Sequence, residues 1–316
     1  MTASPQAIGI DVGGTKTAAM RVAADGTVLA REILPTPADD MAATLDTIVV
    51  AAKTVATADV AAAGIAAAGL VETATGVLRF APNLAWRDAP LVAFVSERLG
   101  VPVVADNDNT AAAWGEYRFG AGRGYRDLLL VGVGTGIGGG IVAGGELFRG
   151  AHGFAAEIGH IVVEPDGPLC GCGNRGCWEQ VASGQAVTRA GREAVRSGVE
   201  TSLVELSGGD VDRVTGPLVT RAAQGGDLVA IGIIAEVGRR LGVGIAGLVN
   251  VLDPEVVVVA GGVAAAGDLL LEPARAAYRD TVEAPDHRPE VPIVPAELGN
   301  DAGAVGAAAL ALEAVA

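Results

Sequence analysis

One stretch concentrates the side chains best suited to bind a cation or a polar ligand. It begins Glu157-Ile158-Gly159-His160 and ends Cys170-Gly171-Cys172-Gly173-Asn174-Arg175-Gly176-Cys177-Trp178-Glu179. It holds all three cysteines of the chain and one of its three histidines. His160, Cys170, Cys172 and Cys177 offer four soft or borderline ligands, the usual complement of a structural Zn²⁺. The spacing is not the C-x2-C of zinc fingers, and three reduced structural thiols are the plainer alternative. The intervening glycines permit the sharp bends that would bring the sulfurs together. Glu157 and Glu179 bracket the stretch, so the expectation is a zinc-stapled loop that positions polar groups on a substrate.

Glycine-rich turns form a second set. Asp11-Val12-Gly13-Gly14-Thr15-Lys16 and Gly134-Thr135-Gly136-Ile137-Gly138-Gly139 each follow an apolar run. Neither is a G-x-x-x-x-G-K-[ST] loop. The second matches G-x-G-x-x-G, but Ile141 and Val142 after it read as strand, where a dinucleotide site needs a helix. Either turn alone also reads as an ordinary hairpin. Together, and with Gly261-Gly262 after a later strand, they favour a nucleotide whose phosphates are held by converging backbone N–H groups. Thr15 and Thr135 add hydroxyls and Lys16 a charge. Asp11, at a strand end, is placed to orient Mg²⁺ waters.

The third set is Asp106-Asn107-Asp108-Asn109, between a strand and a helix, where α/β proteins place sites. A carboxylate there could accept the proton of a hydroxyl attacking a phosphoryl group. The same residue types also make turn and cap hydrogen bonds.

Positioning these sets requires a repeated pattern of elements. Ala7–Ile10, Thr17–Val22 and Val28–Leu34 read as strands, with Asp25-Gly26 as a hairpin turn. Met41–Thr57 has helical character, and Val60–Leu70 looks like a strand entering a glycine turn. Leu91–Leu99 reads as a helix, Val101–Ala105 as a strand, and Ala111–Phe119 as a helix capped by Thr110. The order then recurs, with strands Leu128–Val133 and Gly140–Ala143. Helices follow near Gln185–Ser197 and Asp227–Leu248, then strand Val256–Ala260 and a helix at Leu269–Thr281. A strand near Val291–Val294 and a helix from Ala302 close the pattern. Two related α/β halves facing a cleft are the expectation.

Composition narrows the partners. The chain has 316 residues, half of them hydrophobic but only 3% aromatic, so its core must be built from Ala, Val, Leu and Ile. The net charge is −15 and no Lys/Arg cluster appears, which argues against nucleic acid. No uninterrupted apolar run reaches membrane-spanning length. Three cysteines cannot all pair, and with no signal peptide a reducing cytoplasm is expected.

The motifs also carry a resemblance. D-V-G-G-T-K at Asp11–Lys16, G-T-G-I-G-G-G at Gly134–Gly140, E-I-G-H at Glu157–His160 and C-G-C-G-N-R-G-C-W-E at Cys170–Glu179 together resemble the ROK family of bacterial sugar kinases and repressors. The likeness covers nearly the whole chain. A-P-N-L at Ala81–Leu84, A-A-W-G-E-Y-R-F-G-A-G at Ala112–Gly122 and G-C-W-E-Q-V-A-S-G at Gly176–Gly184 look most like its actinobacterial-type glucokinases.

The resemblance implies a duplicated actin-like, ribonuclease-H-like ATPase fold with two lobes and a central cleft. The expected small lobe is 1–110 plus 301–316, and the large lobe, 111–300, carries the zinc loop. It implies ATP-dependent phosphorylation of the glucose 6-hydroxyl, with ATP, Mg²⁺ and structural Zn²⁺. Asp108 would be the general base and Asn107 a sugar ligand. Asn83, Glu157, His160 and Glu179 would contact sugar hydroxyls, and Gly69 would offer a backbone donor. His160 would serve twice, one ring nitrogen on zinc and the other toward the sugar, with Cys170, Cys172 and Cys177 completing the metal site. Asp11, Gly13, Gly14, Thr15, Lys16, Gly134, Thr135 and Gly136 would face the phosphates, with Gly261 and Gly262 near the nucleoside. A homodimer or homotetramer is implied as well.

One departure is visible. The family often reads E-N-D-A-N where this chain has Asp106-Asn-Asp-Asn-Thr110, so position 110 lacks a carboxamide. Two other classes compete with an enzyme: a sugar-sensing repressor and a non-catalytic sugar-binding module. The first is disfavoured because the turn at Asp11 leaves no room ahead of it for a DNA-binding helix-turn-helix, the second by retention of Asp108 and both glycine turns. Kinases of N-acetylglucosamine, mannose or fructose share most of this constellation, and polyphosphate is an alternative donor.

Overall fold

A computed structural model describes residues 5–81 and 86–316. From its N-terminal end the chain forms strands β1 (Gln6–Val12), β2 (Lys16–Ala23) and β3 (Val28–Pro35), helix α1 (Met41–Val55) and strand β4 (Val60–Ala67). Three short strands follow, β5 (Leu70–Glu72), β6 (Val77–Phe80) and β7 (Arg87–Ala89), then α2 (Leu91–Leu99), β8 (Val103–Asn107) and α3 (Asp108–Phe119). The second run opens with β9 (Leu128–Val133), β10 (Ile137–Ala143) and β11 (Glu146–Leu147). Helices α4 (Glu179–Ala182), α5 (Gly184–Ser197), α6 (Leu203–Leu206), α7 (Gly216–Gln224) and α8 (Leu228–Leu252) come next. The chain finishes with β12 (Val256–Ala260), α9 (Asp268–Thr281), β13 (Ile293–Pro295) and α10 (Ala302–Glu313).

The duplication is visible in the sheets. One runs β3-β2-β1-β4-β8 and the other β11-β10-β9-β12-β13, the same order built from the first and second runs of the chain. A smaller sheet, β5-β6-β7, is confined to the first run. By contacts the chain divides into two compact units. The first comprises Met1–Leu130, Gly140–Ala156 and Ala296–Ala316, and the second Val131–Gly139 and Glu157–Pro295.

In the first unit, β1 pairs antiparallel with β2 and parallel with β4, and β4 pairs parallel with β8. The register sets Asp11 opposite Ala66 and Ala66 opposite Asp106. The carboxyl ends of β1, β4 and β8 therefore finish side by side. One face of this sheet packs on α1 and α2 through Ile8, Ile10, Ile48, Ile65 and Leu91. The other takes α10 through Ala304, Val305, Ala308 and Ala311. The core is aliphatic as its composition demands, and small residues let α10 settle onto the sheet. A Cβ on Gly9 would lie 1.8 Å from the Ala304 carbonyl oxygen, and one on Gly306 1.7 Å from that of Ala111. Backbone contact this close excludes any side chain.

The strand expected to enter a glycine turn over Val60–Leu70 ends at Ala67, and Gly69, at φ +132°, turns the chain into β5. One local expectation changes. Thr110 does not cap α3. The helix starts at Asp108, and the side chain of Asn107 accepts from the N–H groups of Asn109 and Thr110.

Candidate active site

The first unit gathers Asp11, Gly69, Asn107 and Asp108 at the carboxyl end of its parallel strands, where open α/β sheets bind ligands. Asn107 ends β8. Its Oδ1 accepts the N–H groups of Asn109 and Thr110 at 2.9 and 3.1 Å, and its Nδ2 donates to the Gly69 carbonyl at 3.2 Å. Gly69 thus meets Asn107 through its carbonyl.

Asp108 opens α3, with Oδ1 accepting from Asn109 Nδ2 at 3.1 Å. Burial pushes its carboxyl above the ordinary range, against hydrogen bonds from Asn109 and Asn107 that lower it. Asp11 is raised to about 7, first by burial and then by the charge of Asp108, with Lys16 opposing. Two neighbouring carboxylates that resist ionisation are able to accept a proton or to orient a cation. The turn between them and β2 is closed by the Gly13 N–H donating to the Lys16 carbonyl at 3.0 Å, and the Thr15 carbonyl accepts from Thr36 at 3.0 Å. Asn83 lies outside the described residues.

Asp106 has partners different from those of Asp108. It is buried, and its Oδ2 accepts from Arg149 Nε at 2.7 Å. Arg149 is a participant that sequence reasoning missed: it stands 43 residues away, in a segment with no motif to flag it.

The second unit holds the four candidate metal ligands and the other glycine turns. One ligand atom from each of His160, Cys170, Cys172 and Cys177 lies within 4.8 Å of all the others. Zn–S bonds of ~2.3 Å in a tetrahedron set sulfurs roughly 3.8 Å apart. The Cys172 and Cys177 sulfurs are 3.6 Å apart, and Cys170 Sγ is 3.6 Å from His160 Nδ1. The four groups fit a structural zinc. His160 turns its Nδ1 toward the sulfurs, while its Nε2 lies 3.9 Å from Glu157 Oε2.

The loop is anchored through Trp178, which is fully buried and donates its indole N–H to the Arg240 carbonyl of α8 at 3.0 Å. Glu179, next in sequence, faces both metal cluster and glycine turn. Cys170 Sγ donates to its Oε1 at 3.1 Å, the Ile137 N–H approaches its Oε2 at 3.4 Å, and a Cβ on Gly136 would lie 2.3 Å from that oxygen.

The turn itself is held from behind by α5. The Gly134 carbonyl accepts from Gly184 N–H at 2.9 Å and the Thr135 carbonyl from Gln185 N–H at 3.2 Å. In a trans peptide the N–H points opposite its C=O, so the N–H groups of Thr135 and Gly136 face away from α5, as an anion cradle requires. Gly261, at φ +91°, presses against the Val133 backbone, its would-be Cβ 2.5 Å from that carbonyl oxygen. The turn after β12 is thereby set beside the one after β9. The Asp11–Lys16 turn belongs to the first unit, with Asp108.

Comparison with known proteins agrees with this arrangement. The ROK family model matches residues 7–314. A glucokinase of Streptomyces coelicolor is 43% identical over 314 residues, covering 97% of both chains. The structure of a ROK family glucokinase from Streptomyces griseus, solved with glucose and AMPPNP, is 44% identical and superposes with a TM-score of 0.91 over 98% of this chain and 99% of that one. A ROK hexokinase from Thermus thermophilus, 34% identical, gives a TM-score of 0.78 over 98% of this chain and 99% of its own. With the duplicated sheets, the cysteine loop and the paired glycine turns all in place, the chain belongs to the ROK family and has its two-lobe, actin-like sugar-kinase fold.

Proposed function

We propose that this protein is an ATP-dependent glucokinase that transfers the γ-phosphoryl group of MgATP to the 6-hydroxyl of glucose. The observation that carries the reading is the placement of Asp108: a carboxylate with raised proton affinity at the head of α3, among Asp11, Gly69 and Asn107. The full-length likeness to glucokinases supports it.

Glucose hydroxyls meet Glu157, His160 and Glu179, with Asn83, Asn107 and Gly69 completing the sugar contacts. Asp108 accepts the 6-OH proton as that oxygen bonds to the γ-phosphorus, the bond to the bridging oxygen breaks, and ADP leaves. The raised proton affinity suits this role, since a base works best when its pKa approaches the working pH. The N–H groups of Gly13–Lys16 and Gly134–Gly136 take up phosphate charge, and Gly261-Gly262 borders the nucleoside. Asp11 would orient the waters of a Mg²⁺ ion, which would supply positive charge for the phosphate oxygens.

His160, Cys170, Cys172 and Cys177 would hold a structural zinc outside the chemistry. Bound there, it would fix the loop that carries His160 and Glu179, with His160 turning its Nε2 toward the sugar. No helix among the described residues is long and apolar enough to cross a membrane. A cytoplasmic homodimer or homotetramer completes the reading.

The test is ADP release across a panel of hexoses, with ATP and polyphosphate compared as donors. Glucose with ATP is expected to give the highest kcat/KM. A clear preference for N-acetylglucosamine, mannose or fructose, or for polyphosphate, would overturn the assignment.

A further inference from the structure

The ion pair behind the proposed base has no part in the mechanism above, yet both oxygens of its carboxylate are committed. The Asp106 side chain is almost wholly buried, at 4% exposure. Its two oxygens divide their work. Oδ2 accepts from Arg149 Nε at 2.7 Å, and Oδ1 accepts from the backbone N–H of Asn107 at 2.9 Å. Asn107 in turn caps α3 through its own Oδ1 and ties to Gly69 through Nδ2. A continuous chain of hydrogen bonds thus runs from Arg149 through Asp106 and Asn107 to the first turn of α3, which carries Asp108.

Arg149 is fixed at its own end. Its carbonyl accepts from Ala155 N–H at 3.1 Å, which closes the segment on itself. Gly153, inside that segment, abuts β5: a Cβ there would stand 2.6 Å from the Val71 carbonyl oxygen. Both ends of the relay therefore rest on the same unit.

Energetics point to position rather than stability. A buried ion pair gains little over an apolar pair of similar volume, because desolvation offsets the attraction. What it supplies is direction. A bond to each carboxylate oxygen leaves Asp106 a single orientation, and the Asn107 peptide follows it.

We infer that Arg149, acting through Asp106, is a positioning residue for Asp108, holding the start of α3 so that the carboxylate meets the attacking hydroxyl. This rests on the reading of Asp108 as the general base. A misplacement of about 1 Å at the reacting group costs on the order of 100-fold in rate.

The experiment is steady-state glucose phosphorylation by the wild type, Arg149→Met, Arg149→Lys, Asp106→Asn and the Arg149→Met/Asp106→Asn double variant. Arg149→Met and Asp106→Asn are each expected to lower kcat about 10- to 100-fold. KM for glucose and for ATP should stay within about threefold, the mark of an interaction felt in the transition state. Arg149→Lys should recover part of the loss, and the double variant should be no worse than the poorer single, as for two members of one relay.

Unchanged kcat in Arg149→Met, a loss confined to KM, or a double variant that multiplies the two losses would overturn the inference. Arg149 is one-third exposed, so Arg149→Met carries the test alone if Asp106→Asn does not fold. A wild type inactive on every hexose would overturn the kinase reading itself, whereas an active wild type with unaffected variants overturns only the relay.

Discussion

Asp11 and Asp108 pay for their location with reluctance to ionise, and that has consequences of opposite sign for stability and activity. The Asp11 carboxyl is raised from 3.8 to about 7, so the folded state favours the proton. For a carboxylate raised in this way, the stabilisation is present at low pH and is lost as the pH climbs through 3.8 toward about 7. Asp11→Asn removes the penalty: in the ligand-free protein its Tm should exceed that of the wild type at about pH 8, the gap closing below the ordinary carboxylate value. Thermal melts across pH check this, and a lower Tm for the variant at high pH would contradict it. Phosphoryl transfer should nevertheless fall in the same variant, because in the proposed function Asp11 orients the cation. Asp108, also raised by burial, should set an acid limb in kcat/KM above the ordinary carboxylate range. The tetrad Asp106–Asn109 was legible as a candidate because it sits where a strand meets a helix, and the family resemblance singled out Asp108 within it. Arg149 was not, since an ion pair across 43 residues leaves no local pattern.

Elements decide whether such residues arrive where they are needed. The loop from Glu157 to Glu179 contains only one short helical turn before α4, so its shape depends on cross-links: four convergent ligands, Trp178 seated on α8, and Glu179 against Gly136. Cys172→Ser should drop bound zinc well below one per chain and raise glucose KM about tenfold together. Unchanged metal by elemental analysis would refute the staple. Helix α10 shows the opposite strategy, close packing without cross-links. Gly306→Ala forces a methyl into the Ala111 carbonyl and should cost about 3 kcal/mol or more, read as a lowered urea midpoint. The helices with strong periodicity, α1, α2, α5, α8 and α9, were legible to within a few residues. The small sheet β5-β6-β7 and helices α6 and α7 were not, because segments of three to nine residues carry too little period to register. Asn107 displaced Thr110 as the cap for a local reason: either can cap, and the strand simply runs two residues further than its apolar run.

At the scale of the molecule, the repeated sheet order was anticipated by the repeated strand–glycine–strand openings, but the interleaving of the chain was not. The chain passes between the units four times, after Leu130, Gly139, Ala156 and Pro295. Nothing local marks such crossings, since they follow from which face α10 and the segment at Gly140–Ala156 come back to cover. The first unit therefore depends on the far end of the chain. Removing Ala296–Ala316 strips α10 from its sheet, and no cooperative unfolding transition should remain for that unit. A retained transition would show α10 to be dispensable. Of the residues in the proposed function, Asp108 belongs to the first unit and Glu157, His160 and Glu179 to the second. The most direct test of the kinase account is the steady-state rate of Asp108→Asn with saturating glucose and MgATP, beside the wild type. The expected result is a kcat lower by about 10²- to 10⁴-fold, with glucose binding retained. A near-normal kcat would contradict it.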